Sequence, residues 1–319
     1  MHQKKIVILG TGGTIAGVAE DPAEHVAYRA AELPVEVLVG RVMSLAAMPE
    51  LLVEQVAQID SKDMSFPVLA LLAERVNHFL ARDDVSGIVI THGTDTLEET
   101  AYFLHALLGP AKPVVLTCAM RPASALVPDG PQNLLDAVTV ASRAEAGGVV
   151  VVCAGVVHSA RDVQKRHTYR LDAFGSGDAG PIAYVEENNL RLLRKWPVGP
   201  EKSALSAIES IAKLKLAPIW PSVEVVMNYV GAGGALVQAL VASGARGLVL
   251  AGTGNGTAHN ELEAALKLAQ AQGVRVVRAT RCPEGHVLSR SGDAFEDAKG
   301  LSPVKARIAL MLALMLPGF

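Results

Sequence analysis

Four short apolar runs, at residues 5–9, 87–90, 113–118 and 149–153, are rich in valine and isoleucine and do not alternate apolar with polar positions. A strand that reads this way is covered on both faces, as in a parallel sheet flanked by helices. Between the runs lie stretches of helical periodicity at 66–82, 97–108 and 132–146. In the second of these, Leu97, Ala101, Leu104 and Leu108 share one face and Gly109-Pro110 ends the run. Thr96 with Glu99 reads as a capping box at its start. The alternation predicts an α/β chain whose larger amino-terminal domain holds a mostly parallel sheet.

A chain of 319 residues exceeds the size at which one hydrophobic core stops growing, about 250 to 300 residues, so a second domain is expected. The charged stretch 191–222, with Pro197, Pro200, Pro218 and Pro221, reads as the linker. The expected division is a domain over 1–190 and a smaller α/β domain over 223–319. The latter shows strand signals near 223–227, 247–250 and 274–278, and helical signals near 234–242, 260–271 and from Pro303 onward.

Half of the residues are hydrophobic, only 19% are charged and the net charge is −3. Nothing in that balance attracts nucleic acid or an anionic membrane, so neither is expected as a partner. Only residues 6–9 are apolar before the glycines begin, which is too short for a leader core or a membrane span. The cytoplasm is therefore the expected compartment, with the periplasm open if a leader has been removed. Cys118, Cys153 and Cys282 each lie in or beside an apolar run and read as reduced core thiols. No cysteine or histidine spacing suggests a metal, and no organic cofactor is expected.

Two of the apolar runs lead into threonine-bearing glycine motifs, Gly10-Thr-Gly-Gly-Thr14-Ile-Ala-Gly17 and Thr91-His-Gly-Thr94-Asp95-Thr96. Loops at the carboxyl ends of parallel strands are where an open α/β sheet binds ligands. A dinucleotide fingerprint starting at Gly10 would need its third glycine at position 15, which is Ile15, and no lysine follows as in a P-loop. What remains is hydroxyl chemistry. Thr94 and Asp95 precede a helix amino terminus, where backbone N–H groups are unpaired. A threonine hydroxyl needs a base or cation to become a nucleophile, and Lys165, soon after the run at 149–153, is the candidate. Tyr28, on the loop-like stretch 18–30, can meet Thr14 if that stretch closes as a lid.

Further motifs follow in order: Ile59-Asp60-Ser61-Lys62-Asp63-Met64, Ala119-Met-Arg-Pro122 with Asp129-Gly-Pro131, Arg161-Asp-Val-Gln-Lys165, Gly252-Thr-Gly-Asn255-Gly256 and Leu301-Ser-Pro-Val-Lys-Ala-Arg307. With them the chain resembles the bacterial-type L-asparaginases of the asparaginase/glutaminase family over nearly its whole length. The resemblance implies an amidohydrolase that converts L-asparagine to L-aspartate and ammonia, with glutamine as a lesser substrate. It implies that Thr14 is the nucleophile of an acyl-enzyme route, with Tyr28 as its partner, and that Thr94, Asp95 and Lys165 form a second triad. A one-step attack by water held on Thr94 stays open.

By the same resemblance, Ser61 binds the α-carboxylate, Asp95 also binds the α-ammonium, and the carbonyl of Ala119 lies near the side-chain amide. Lys62 stands where many relatives carry glutamine, placing a positive charge beside the carboxylate anchor. The family assembles as a homotetramer, a dimer of intimate dimers that complete each other's sites. Asn255 matches an intersubunit motif. The segment 281–293 departs from the family pattern, leaving Asp293 as the candidate for the acidic residue that a neighbour supplies. Three other readings remain: a broad glutaminase-asparaginase, an ammonia-supplying amidotransferase subunit, and a silent amino-acid-binding protein on the same scaffold. Retention of Thr14, Thr94, Asp95 and Lys165 together favours the enzyme.

Overall fold

The computed structural model describes residues 4–42, 50–197, 206–217, 219–316 and 318. Pro200 and Pro218 of the expected linker lie outside them. The chain divides into two compact units, Met1–Glu201 and Lys202–Phe319.

In the first unit strands and helices alternate: β1 (Lys5–Gly12), α1 (Val35–Gly40), β2 (Leu51–Ile59), α2 (Phe66–Leu80), β3 (Val85–Thr91), α3 (Leu97–Leu108), β4 (Val114–Thr117), α4 (Gly130–Ala141) and β5 (Val149–Cys153). The short elements β6 (Val156–Ser159), β7 (Gln164–Lys165), β8 (Phe174–Gly175), β9 (Ala183–Glu186) and β10 (Asn189–Leu192) follow. The main sheet runs β10-β9-β6-β5-β4-β3-β1-β2. Strands β2, β1, β3, β4 and β5 are parallel, while β6, β9 and β10 add an antiparallel edge.

Both faces of the parallel part are buried, which explains the unbroken apolar runs. Ile6, Ile8, Val89, Val115, Val150 and Val152 pack with Val35 of α1 and with Leu134, Ala137, Val138 and Ala141 of α4. The alternate residues Val7, Ile88, Ile90, Val114, Leu116 and Val151 are equally inaccessible. Helices α2 and α3, with the buried Leu72, Phe103 and Leu104, contact each other and the sheet. Ala154-Gly155 and Glu187-Asn188 turn the two antiparallel hairpins with positive φ at both residues, as type I′ turns require. At the end of α3, Gly109 supplies the left-handed cap at φ 46°.

The second unit contains α5 (Ala207–Leu216), β11 (Val223–Met227), α6 (Ala235–Ala242), β12 (Gly247–Gly252), α7 (Asn260–Ala271), β13 (Arg275–Thr280), β14 (Glu296–Asp297) and α8 (Pro303–Met315). Its sheet is parallel in the order β11-β12-β13-β14. Val226, Leu248, Leu250 and Val276 pack with Val237 of α6 and Leu262 and Leu266 of α7, and α8 also contacts these strands.

Several details differ from expectation. Helix α5 occupies part of the stretch read as a linker, and it carries the capping box, Ser206 with Glu209. Thr96 is the N-cap of α3, but its side chain makes no cap hydrogen bond because its hydroxyl is committed elsewhere, as described below. Cys118 and Cys153 are buried, whereas Cys282 is exposed because it lies beyond the end of β13; all three are free thiols. Among the described residues no helix is long and apolar enough to cross a membrane. No cluster of three or more potential metal ligands occurs among them either.

Candidate active site

In the parallel part, the strand order 2-1-3-4-5 reverses direction between β1 and β3. Crevices at the carboxyl ends of strands beside such a reversal are the ligand-binding positions of open α/β sheets. Thr14 follows β1, Ser61 follows β2, and Thr94 follows β3. The fold therefore brings three loops, far apart in sequence, to one end of the sheet.

Backbone contact locks them together. Gly13 has φ +81°, and a Cβ built on it would stand 2.2 Å from the Cα of Gly93. A Cβ on Gly93 would in turn stand 2.4 Å from Ser61 Oγ. Only glycine allows the three turns to close to this distance. Thr11 Oγ1 donates to the Thr91 carbonyl at 2.9 Å, and Gly13 N donates to the Ile59 carbonyl at 2.9 Å.

Thr14 begins a single 3-10 turn, Thr14–Ala16, and is 6% exposed. Its Oγ1 lies 2.7 Å from the Tyr28 hydroxyl. The Tyr28 ring lies against Gly17, where a Cβ would meet Cδ2 at 2.8 Å. The intervening loop is closed at its base by the reciprocal backbone bonds of Val18 and Arg29. It is also held by Ala19 N donating to Ser124 Oγ at 2.8 Å and Leu126 N donating to the Pro22 carbonyl at 3.1 Å. Burial raises the Tyr28 pKa and outweighs the opposing bond with Thr14; the nearby charges of Asp60 and Asp95 push the same way as burial. The phenol is therefore neutral near pH 7 and not a standing phenolate.

Thr94, also 6% exposed, accepts a hydrogen bond from Lys165 Nζ at 2.8 Å. The same ammonium lies 2.6 Å from Asp95 Oδ1. Lys165, expected close behind the run at 149–153 and so near the end of a strand of the same sheet, lies outside the main sheet. It lies in β7, beyond the antiparallel β6, in a two-stranded ribbon with β8, and its N–H donates to Glu98 Oε1 at 3.3 Å.

Ser61 is 2% exposed and accepts from Asp95 N at 3.1 Å. Its carbonyl accepts from Thr96 Oγ1 at 2.7 Å. Lys62 is exposed; its ammonium is bonded to Asp63 and lies 3.8 Å from Asp60, and these carboxylates raise its pKa. Ala119 is fully buried. The chain just after it is fixed by Asp129, whose carboxylate accepts from Met120 N and Arg121 N at 2.9 Å each. Asn133 Nδ2 bonds the Cys118 carbonyl at 2.9 Å. The supporting roles of Thr96 and Asp129 escape residue-by-residue reading of the sequence, since nothing in their spacing gives their partners.

Asn255 and Asp293 belong to the second unit, each tied into it. Asn255 clasps Leu288 through both backbone groups, at 3.1 and 2.7 Å. Asp293 Oδ2 pairs with Arg278 Nη2 at 2.5 Å and accepts from Arg290 N at 2.7 Å. The Arg290 backbone bond, more than the Arg278 charge, lowers the Asp293 pKa.

Chemically, the first unit presents two buried hydroxyls on abutting loops. One is paired with a neutral phenol, the other with an ammonium and a carboxylate. The family described as Asparaginase, N-terminal, matches residues 5–198, and that described as Glutaminase/Asparaginase C-terminal domain matches residues 222–317. The chain is 39% identical to L-asparaginase 2 of Bacillus subtilis (strain 168) over 317 residues, covering 97% of this chain and 82% of that protein. It is 37% identical to a glutaminase-asparaginase of Pseudomonas fluorescens biotype A over 317 residues, 97% of this chain and 86% of that protein. The crystal structure of a "Probable Cytoplasmic L-asparaginase" from Campylobacter jejuni superposes with a TM-score of 0.87 at 36% identity, covering 98% of this chain and 95% of that one. Sequence, fold and the two-threonine arrangement agree: this chain belongs to the asparaginase family.

Proposed function

We propose that the protein is an L-asparaginase that hydrolyses the side-chain amide of L-asparagine to L-aspartate and ammonia, with L-glutamine as a lesser substrate. The observation that carries this reading is the separate pairing of two buried hydroxyls on touching loops, Thr14 with Tyr28 and Thr94 with Lys165 and Asp95. A protein that only bound an amino acid would need charge anchors but not two such hydroxyls.

In this reading Thr14 Oγ1 attacks the amide carbon while Tyr28 relays its proton. Backbone N–H groups of the glycine turns stabilise the oxyanion. The C–N bond breaks, ammonia leaves with the proton, and a β-aspartyl ester remains on Thr14. Water positioned by Thr94 and Lys165 opens the ester, releasing aspartate and restoring the threonine hydroxyl. Ser61, which already accepts from Asp95 N, can turn its own proton to the substrate α-carboxylate, and Asp95 faces the α-ammonium. Lys62 adds positive charge next to Ser61, and the Ala119 carbonyl orients the amide. Fixing both charged ends delivers the amide carbon in attack geometry.

A homotetramer, a dimer of dimers, would let Asn255 and Asp293 serve a neighbour's site. The exposed apolar side chains of Met227, Tyr229, Val230 and Leu236 support a subunit interface on the second unit. The solved relative named as cytoplasmic supports the cytoplasm as the compartment.

Ammonia release from asparagine and from glutamine, measured for the wild type, Thr14→Ala and Thr94→Ala, tests the reading. Each variant is expected to lose about 10³-fold or more in turnover. Undiminished turnover in both would remove the mechanism. A covalent adduct of aspartyl mass on Thr14, trapped by acid quench, would separate the ester route from one-step attack by water.

A further inference from the structure

Behind the Thr14 turn, within the first unit, lies a cavity of about 210 Å³. Ile15, Leu38, Val42, Pro128 and Leu134 give it an almost wholly apolar wall. Among the described residues of that lining Arg41 alone is charged, and it is exposed, so it marks the mouth. An apolar cavity of about 150 Å³ is enough to take up benzene. This one has room for an aromatic ring or a branched alkyl group with a polar substituent directed outward. The Arg41 guanidinium defines that substituent. Its Nη1 reaches the Ala123 carbonyl at only 3.4 Å, a long bond that a carboxylate would replace with a charge-assisted one.

The wall of the cavity is also the back of the candidate active site. Ile15 directly follows Thr14, and a Cβ on Gly130 would stand 2.9 Å from Ile15 Cγ1. Ala123, whose carbonyl Arg41 holds, donates its N–H to the Gly17 carbonyl at 2.9 Å, just past the Thr14 turn. A ligand that displaces Arg41 from Ala123 therefore acts on the segment that fixes both Thr14 and the base of the Tyr28 loop.

We propose that this cavity is an effector site for a small apolar monocarboxylate, its ring or branched chain inside and its carboxylate on Arg41. Binding is independent of the asparaginase reading, while the effect on turnover rests on it.

Calorimetric titration of the whole protein with benzoate, and with benzyl alcohol as the uncharged counterpart, tests the site. Each titration is repeated with saturating L-aspartate. Benzoate is expected to bind whether or not aspartate is present, and benzyl alcohol about tenfold more weakly. Arg41→Gln should reduce benzoate to the affinity of the alcohol, and Ala123→Leu, which fills the cavity, should abolish both. Benzoate should also change the rate of ammonia release in the wild type but not in Ala123→Leu. The proposal falls if benzoate does not bind, if aspartate displaces it, if both variants bind it like the wild type, or if bound benzoate leaves turnover unchanged. A protein that releases no ammonia at all defeats the asparaginase reading instead, while the binding measurements still decide the site.

Discussion

Thr96 Oγ1 donates to the carbonyl of Ser61 at 2.7 Å, joining the loop after β3 to the loop after β2 across 35 residues of sequence. The hydroxyl that would ordinarily cap its own helix is spent on holding a neighbouring turn. Thr96→Val, which keeps the shape and removes the bond, is expected to cost about 1 kcal/mol in stability. Because Ser61 loses its brace, KM for asparagine should rise several-fold with a smaller change in kcat. Steady-state kinetics beside urea denaturation check this, and a fall in kcat alone would assign Thr96 a different role.

Lys165 donates simultaneously to Thr94 and Asp95, a task for a flexible stem with a compact head. Lys165→Met should lower kcat by about 10² to 10⁴, the range of general acid–base contributions. Lys165→Arg should restore little, since a planar guanidinium cannot reproduce both contacts. Recovery to within a few-fold of the wild type by arginine would mean that charge alone is needed there.

Tyr28→Phe removes the hydroxyl that meets Thr14 and leaves the ring on Gly17. The rate of ammonia release should fall more than the affinity for aspartate does. Equal losses in both would make Tyr28 a packing residue of the loop.

The pH dependence of stability should carry the signature of His92. This ring is fully buried, burial holds its pKa down at about 4 against the usual 6.5, and its Nε2 has no partner among the described atoms. Above pH 6.5 it is neutral in both folded and unfolded chains, and its contribution is complete. As the pH falls from 6.5 towards 4, the unfolded chain takes up a proton that the folded chain refuses, and stability is lost. The loss expected from this residue is about 2 kcal/mol between pH 7 and pH 5. His92→Asn, which preserves a donor to the Gly93 carbonyl, should flatten that slope in urea titrations.

The parallel core was legible because its strands are continuous apolar runs, and the residues of both hydroxyl pairs were legible through ordered motifs. What escaped did so for physical reasons. The strand β2 contains Glu54, Gln55 and Gln58 because it lies at the sheet edge, so its polar side chains obscure the pattern. The hairpins of β6, β9 and β10 are too short for periodicity to register. Proline and charge masked α5, even though Ser206 and Glu209 form a complete capping box. Thr96 carries the same local signature and does not act on it, because a buried carbonyl elsewhere in the fold competes for its hydroxyl. Local rules find candidates, but tertiary partners decide between them.

A last prediction separates steric from conformational effects. Gly13→Ala places a methyl group on the Gly93 backbone at φ +81°, and should destabilise the protein by about 3 kcal/mol or more. Gly40→Ala, where nothing stands within 4 Å, should be neutral or stabilising by up to about 1 kcal/mol. Chemical denaturation of the two variants side by side checks the contrast.

The contact between Gly13 and Gly93 also limits how such a protein can change. At the centre of the site the loops are held by an absence of side chain, so the smallest possible substitution there is already too large. Size, and not charge, polices these two positions. On the proposed reading, new substrate preferences must be sought at positions such as Lys62, where a long exposed side chain can be exchanged without parting the turns that carry the two threonines.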